Sequence, residues 1–414
     1  MIPPRRKITE VVPINTMFLL ADFHFGVEVG KLCAILKTFE MKKILLVVFS
    51  LLTLSGYAKE LKLDMKARLS GRFLFDGISY FNAADTLDSQ LNIGDLRLCG
   101  QVEVGKEWFF TVDVAMTRNK LSIKDCFAQF IRNGHSLKIG HFFGSFGIDQ
   151  SMGSCDFVFH TGANSVESMY ANRRMGAAYL RIHPKYFLSW GVFFSDSFIN
   201  KEKTQYGYNT SLRGVWRPIN TPDKLIHVGA SALFKVPDMN KDTKQRTVSF
   251  GGGGVTYLPM PKFQSVVMDN VRNVIGVGCE FYVFNNRWMA QGEYNAMLVN
   301  QFHRKQFRSH GGYIQAGYLI KGRHYGYSQN TAVTLMPYDK RSLLVAVRYN
   351  YSDMNTAEAG LWGGKQRDLA VGLNYYFNKY ISTRLNYTYM MLDEHSQLGE
   401  MNMHILQTRF QFRF

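Results

Sequence analysis

Arginines standing singly among apolar residues are the chemically suggestive feature of this 414-residue chain. Arg68, Arg72, Arg97, Arg348, Arg384, Arg409 and Arg413 each sit at the opposite parity from apolar neighbours in a short segment. Lys124 and Lys138 lie in segments that alternate less cleanly. Arg173 and Arg174 are adjacent, so on a strand at most one can join the polar face. A guanidinium offers a planar fork that matches phosphate or carboxylate oxygens, and an ammonium offers a point charge. The chemistry open to such groups is reversible anion binding. The candidate residues are Arg68, Arg72, Arg97, Lys124, Arg173, Arg348, Arg384 and Arg409. Each also has a plainer role open to it, pairing with Asp76, Asp95, Glu103, Asp113, Glu293 or Asp368 to stabilise a wall.

The elements that carry these residues read as strands. The last residues, Met403 to Phe414, place Gln407, Arg409, Gln411 and Arg413 on one parity and Leu406, Thr408, Phe410, Phe412 and Phe414 on the other. Successive side chains of a strand point to opposite faces, so one face is polar and the other aromatic. Segments 64–76, 93–104, 108–117, 288–298, 343–351 and 368–377 repeat this alternation. A soluble β-sandwich also alternates. Here the pattern runs for hundreds of residues and carries aromatic ends, which favours a transmembrane antiparallel β-barrel with an apolar outside and a polar lumen.

Composition agrees. Mean hydropathy is −0.14, too polar for a helical membrane protein, while aromatics reach 14%. The formal charge of +17 calls for an anionic partner or an anion-conducting surface. Nucleic acid is not favoured, because the chain lacks a Lys/Arg-rich block, zinc spacing and an RNP-like motif. Cys33, Cys99, Cys126, Cys155 and Cys279 form no CxxC pair and no metal-ligand spacing, which favours free thiols over a disulfide. No metal or cofactor motif is present, and neither G-x-S-x-G, H-E-x-x-H nor a P-loop occurs.

From Met41 the chain reads as an export signal: Lys42 and Lys43, the apolar run Ile44 to Leu54, then Gly56 and Ala58 before a cleavage point. Residues 41–58 are therefore expected to be a signal peptide, and 59–414 the barrel. Residues 1–40 are expected to be an over-long start assignment, with a genuine extension as the alternative. At about 22 residues per strand and connection, residues 59–414 hold about 16 strands. Gly105-Lys106, Asn285-Asn286 and Asn378-Lys379 read as tight turns. Segments 198–205, 237–245 and 352–366 read as long polar loops at the other end. Residues 143–172 are Gly- and Ser-rich, aromatic and without period. A loop of this kind is expected to fold into the lumen, an external position being the alternative.

Several short stretches resemble the phosphate-selective porins of the O and P type across most of residues 66–414. They are G-R-F-L-F-D-G (71–77), D-L-R-L-C-G-Q-V-E-V-G-K-E-W-F-F (95–110), L-S-I-K-D-C-F-A-Q-F (121–130) and N-R-R-M-G (172–176). G-G-Y-I-Q-A-G-Y-L-I-K-G (311–322), V-A-V-R-Y-N-Y-S-D-M-N (345–355) and residues 372–387 continue the likeness. Where relatives carry Gly-Gln-Phe-Lys-x-Pro-Phe-Gly, this chain has His141, Gly144 and Ser145, which weakens any carry-over of ligand contacts in that loop. The resemblance implies an outer-membrane porin, in contact with outer-membrane lipid, passing small anions, phosphate among them, or small polar solutes, without enzymatic activity or cofactor. It also implies a homotrimer. Two alternatives belong to other classes: a lipase-like barrel enzyme, for which no Ser/His/acid spacing is nominated, and a structural barrel with a plugged lumen.

Overall fold

The computed structural model describes residues 64–83, 87–117, 120–169, 173–195, 203–252, 255–337 and 339–414. The expected signal peptide and the extension before it lie outside them. Sixteen antiparallel strands form one closed barrel in sequence order. They are β1 (Met65–Phe81), β2 (Gln90–Val104), β3 (Trp108–Thr117), β4 (Lys120–Arg132), β5 (His135–Phe142), β6 (Arg174–His183), β7 (Tyr186–Ser195) and β8 (Tyr208–Asn220). The remainder are β9 (Lys224–Val236), β10 (Val271–Asn285), β11 (Trp288–Gln301), β12 (Phe307–Lys321), β13 (Ser342–Thr356), β14 (Leu361–Tyr376), β15 (Ile381–Leu392) and β16 (Met401–Arg413).

Alternation sorts the faces as a lipid solvent demands. Ile139, Ile314 and Trp216 on the outside are 55, 55 and 61% exposed, whereas Arg213 and Arg409 on the inside are 0 and 1% exposed. That inversion of the soluble pattern leaves the barrel's apolar surface free to meet hydrocarbon. Aromatic pairs rim the turn end, with Trp108–Phe130 at 5.0 Å and Trp288–Tyr318 at 4.5 Å between centroids. β1 closes on β16, Arg72 opposite Arg413 through Phe81 opposite His404. Gly71 and Phe414 exchange two backbone hydrogen bonds of 3.1 Å.

The tight turns fall where the sequence placed them. Gly105 (φ 63°) and Asn286 (φ 51°) supply the positive φ that such turns require. Segment 352–366 differs from expectation. β13 and β14 continue through most of it and leave only 357–360 as a connection. A strand needs about 9–11 residues to cross a bilayer, and these strands run on beyond that length with polar outward residues.

The other difference concerns residues 322–341. This connection lies at the end of otherwise short turns, yet it is long and folds inward, carrying the hairpin Gly326–Ser328 and Val333–Leu335. Two segments enter from the opposite end. One is 143–173, with a short helix at Asn164–Glu167; the other is 237–270, with the hairpin Val248–Gly252 and Gln264–Met268. All three pack chiefly on the wall formed by β8 to β16, with Phe187 on β7 also meeting Ala332 and Ile78 on β1 meeting Leu258 and Phe263. Ile148, Val158 and Phe159 meet Tyr325, Val333 and Met336 on wall residues Leu225, Phe284, Leu319 and Leu344. Phe146 and Met169 meet Phe250 and Val266 on Leu233, Met297, Val299 and Phe307. The wall facing inward is thus apolar near both ends and polar at mid-height.

Arg409 and Asp76 bridge the closure between β16 and β1. Nε and Nη2 of Arg409 donate to the two Asp76 oxygens at 2.6 Å each, and both side chains are fully buried. Opposite them a bulge leaves Gly94 unpaired, between Leu74↔Asp95 and Phe75↔Ile93. A Cβ at Gly94 would stand 2.2 Å from Asp76 Oδ2, so only glycine admits the carboxylate. Asp76→Ala strands a buried guanidinium, a change that typically costs about 3–5 kcal/mol. It is expected to lower the temperature at which the barrel loses its compact electrophoretic mobility.

Candidate functional site

The inward segments leave one side of the lumen open. Between the β1–β7 wall and residues 142–154 lies a cavity of about 830 Å³, within the roughly 300–1,000 Å³ range of small-molecule sites. Arg72, Arg97, Lys124, Lys138 and Arg173 line it, together with Asp95, Asp113, Asp125, Asp149 and Glu167.

Strand position explains each cation. On β1 and β2, Arg72 Nε donates to Asp95 at 2.8 Å, and Arg97 reaches Asp95 and Asp113 at 3.3 Å each. Lys124 owes its place to a bulge. Asp113 pairs with Asp125 and Val114 with Ile123, so Lys124 is the extra residue and faces the cavity beside Asp125. Arg173 precedes β6; it donates to Asp125 at 2.9 Å and stacks over Phe143 at 4.0 Å. Because Arg173 is not on the strand, its neighbour Arg174 can also turn inward, to Asp238 at 3.6 Å. The Lys138 ammonium lies 3.5 Å from the Phe127 ring centroid and 4.3 Å from that of Phe142. Among the described residues, no carboxylate lies within 4.0 Å of Lys124 or Lys138.

The other sequence-nominated arginines are elsewhere. Arg68 is exposed at the turn end, 3.8 Å from Glu103 and away from the cavity. Arg348, Arg384 and Arg409 lie behind the 143–173 segment and hold it. Arg348 donates to Thr161 O at 3.1 Å and lies over the Phe159 ring at 4.5 Å. Arg384 donates to Cys155 O at 2.6 Å and Phe159 O at 3.2 Å, and Arg409 to His160 O at 2.7 Å. Three arginines, on β13, β15 and β16, thus direct their charge to loop carbonyls and to Asp76 rather than to open water.

Arg213 and Arg217 on β8 do the same for the third segment, and sequence reasoning passed them over. Arg213 pairs with Glu280 at 2.8 Å and donates to Ala332 O at 2.6 Å. Arg217 donates to Gln329 O at 3.3 Å and Tyr186 O at 2.9 Å. The signal was available, because Leu212 and Trp216 flank them at the opposite parity just as apolar residues flank Arg97.

A carboxyl cluster fixes the 143–173 segment at mid-height. The Tyr313 hydroxyl lies 2.7 Å from Asp149 Oδ1 and 2.9 Å from Glu293 Oε1, and Ala163 N donates to Asp149 Oδ2 at 2.8 Å. Gly162 N donates to Glu167 at 3.1 Å. Burial, with Asp149 nearby, pushes the Glu167 carboxyl up to about 7, and burial moves the Asp149 carboxyl upward as well. Cys99, Cys126, Cys155 and Cys279 are free thiols.

Solved structures share the architecture. An anion-selective porin from Comamonas acidovorans matches at 12% identity, covering 85% of this chain and 100% of its own, with a TM-score of 0.54. OmpT of Vibrio cholerae matches at 10% identity, covering 84% and 98%, with a TM-score of 0.54. The outer-membrane channel DcaP of Acinetobacter baumannii matches at 11%, covering 84% and 97%, with a TM-score of 0.51. At these identities the likeness is one of fold. No curated protein matches the sequence. The family described as phosphate-selective porin O and P matches residues 68–414. With its closed sixteen-stranded barrel and a partly open, charge-lined lumen, the chain belongs to that family and is an outer-membrane porin.

Proposed function

We propose that this channel favours small anions, and that they pass along the β1–β7 side of the lumen. The observation that carries this reading is the charge inventory of the cavity. Five cations face five carboxylates, but the carboxylates differ in kind. Asp95, Asp113 and Asp125 are held by Arg72, Arg97 and Arg173. Asp149 and Glu167 sit where burial favours their protonated forms. Lys124 and Lys138 therefore contribute uncompensated positive potential, which concentrates anions in a narrow water-filled section. Arg72, Arg97 and Arg173 add donors whose acid partners keep any one site from trapping an anion. Arg348, Arg384 and Arg409 serve by holding the segment that shapes the passage. Phosphate fits this chemistry, as do other small anions. Residues 41–58 are proposed as the export signal on their charge and hydropathy pattern. A homotrimer is proposed because a trimer form is described for Vibrio cholerae OmpT.

Planar-bilayer recording under a salt gradient tests the reading. Anions are expected to outrun cations, and Lys124→Ala with Lys138→Ala is expected to reduce the permeability ratio by about two-fold or more. A preference for cations would overturn it, and absence of conductance would favour a plugged barrel.

Arg384→Gln is expected to leave reversal potential nearly unchanged and to raise current noise, since it loosens the loop without lining the passage. A reversal potential shifted as far as in the lysine variants would place Arg384 in the ion path instead.

Glu167 sets a pH dependence. Its carboxyl holds its proton to about 7 in the packed segment but only to about 4.5 when solvated. The packed arrangement therefore keeps its full advantage below the lower value and loses it as pH rises toward the upper. Hydrogen exchange of residues 147–167 is expected to quicken across that window, and Glu167→Gln to flatten the response.

A further inference from the structure

The outer surface carries a cationic patch that the channel reading does not use. It sits on β12, β13 and β14 at the long-loop end, where Ser309, Tyr313, Ser352 and Gln366 face inward and are buried. Their strand neighbours of opposite parity, Arg308, His310, Asp353, Lys365 and Arg367, consequently face out. Register lines them up: His310 pairs with Asp353, Asp353 with Lys365, and Tyr351 with Arg367.

The two guanidinium groups are held with their forks uncommitted. Arg308 Nε donates to Gln306 at 3.2 Å, Gln306 to Asn300 at 2.9 Å, and Asn300 to Asn273 at 2.7 Å, a chain of amides spanning neighbouring strands. Arg367 lies over the Tyr351 ring at 5.8 Å. Among the described residues, neither guanidinium has an ion-pair partner or a side-chain acceptor for its terminal nitrogens. Lys365 is paired with Asp353 at 3.0 Å, so the patch keeps a positive excess from Arg308 and Arg367.

Its height is informative. Outward Tyr294, Tyr349 and Tyr387, at 43 to 49% exposure, form the aromatic band that sits at a membrane interface. His310 rests between Tyr294 and Tyr351, its Nδ1 3.0 Å from the Tyr294 hydroxyl. Cations beside such a band stand at headgroup level, where outward charge is tolerated at little cost. We propose that Arg308 and Arg367 bind the phosphate of a phosphorylated saccharide lipid in the outer leaflet, with the amide chain contacting its sugar. A planar fork answers phosphate oxygens two at a time, whereas hydrocarbon and uncharged headgroups leave it unsatisfied.

Native mass spectrometry of the purified barrel with diphosphorylated lipid A, and with the same lipid dephosphorylated, tests this. The phosphorylated lipid is expected to bind about ten-fold more tightly. That preference should vanish in R308Q/R367Q and persist in R132Q, a control at the turn end. Inorganic phosphate at equal concentration should not displace the lipid. Unchanged conductance certifies that R308Q/R367Q is folded; should it fail that check, R367Q alone is expected to lose most of the preference. Equal binding of the two lipids, a preference retained without both forks, or displacement by inorganic phosphate would overturn the assignment.

Discussion

A guanidinium inside a membrane barrel cannot be left without acceptors, and most of this molecule's interior follows from that. Arg213, Arg217, Arg348, Arg384 and Arg409 are removed from solvent on the polar face of the wall. Facing outward they would meet hydrocarbon; facing an empty lumen they would bind water. Here they meet the backbone carbonyls of segments folded in from both ends. Removing such charges from water is expensive unless every donor is answered. Irregular backbone carries the unpaired carbonyls that strands have already spent on each other. Loop carbonyls therefore answer most of the terminal guanidinium nitrogens, while Nε of Arg217, Arg348 and Arg384 stays buried without a partner, and the lumen acquires a core without ceasing to be polar at mid-height.

The same economy explains the one-sided passage. The β8–β16 wall presents apolar residues near each rim and polar residues between them, so inward segments can dock on it with both hydrophobic and hydrogen-bonded contact. The β1–β7 wall presents Arg72, Asp95, Arg97, Asp113, Lys124 and Asp125 at the cavity, mostly as pairs within the wall itself. Those pairs ask little of a loop beyond the Ser154 hydroxyl, which donates to Asp95 at 3.3 Å, and the space in front of them stays open.

Much of this was legible in the chain because alternation is a local signal. It separated the faces of β1, β2, β13 and β16, located the turns at Gly105 and Asn286, and marked residues 143–172 as exceptional. What it did not convey was depth and destination. Parity places Arg97 and Arg384 on the same kind of face, yet one meets open water and the other is covered by Cys155 and Phe159. Lys124 was ambiguous because a bulge adds one residue to β4 and so changes parity within the strand. Residues 322–341 gave no sign of turning inward, since no periodicity reports which end of a barrel a connection occupies. The polar 352–366 stretch looked like loop because strands that rise past the hydrocarbon no longer need apolar outward residues.

The β1–β16 closure has a consequence for biogenesis. The two strands that finish the cylinder are the first and last of the sheet, so Arg409 meets Asp76 only when all sixteen strands have been delivered. Until that moment both terminal strands expose unsatisfied backbone, and no partial sheet can seal itself. Closure must then await the arrival of the last strand, and the strands already delivered require safekeeping on their way to insertion.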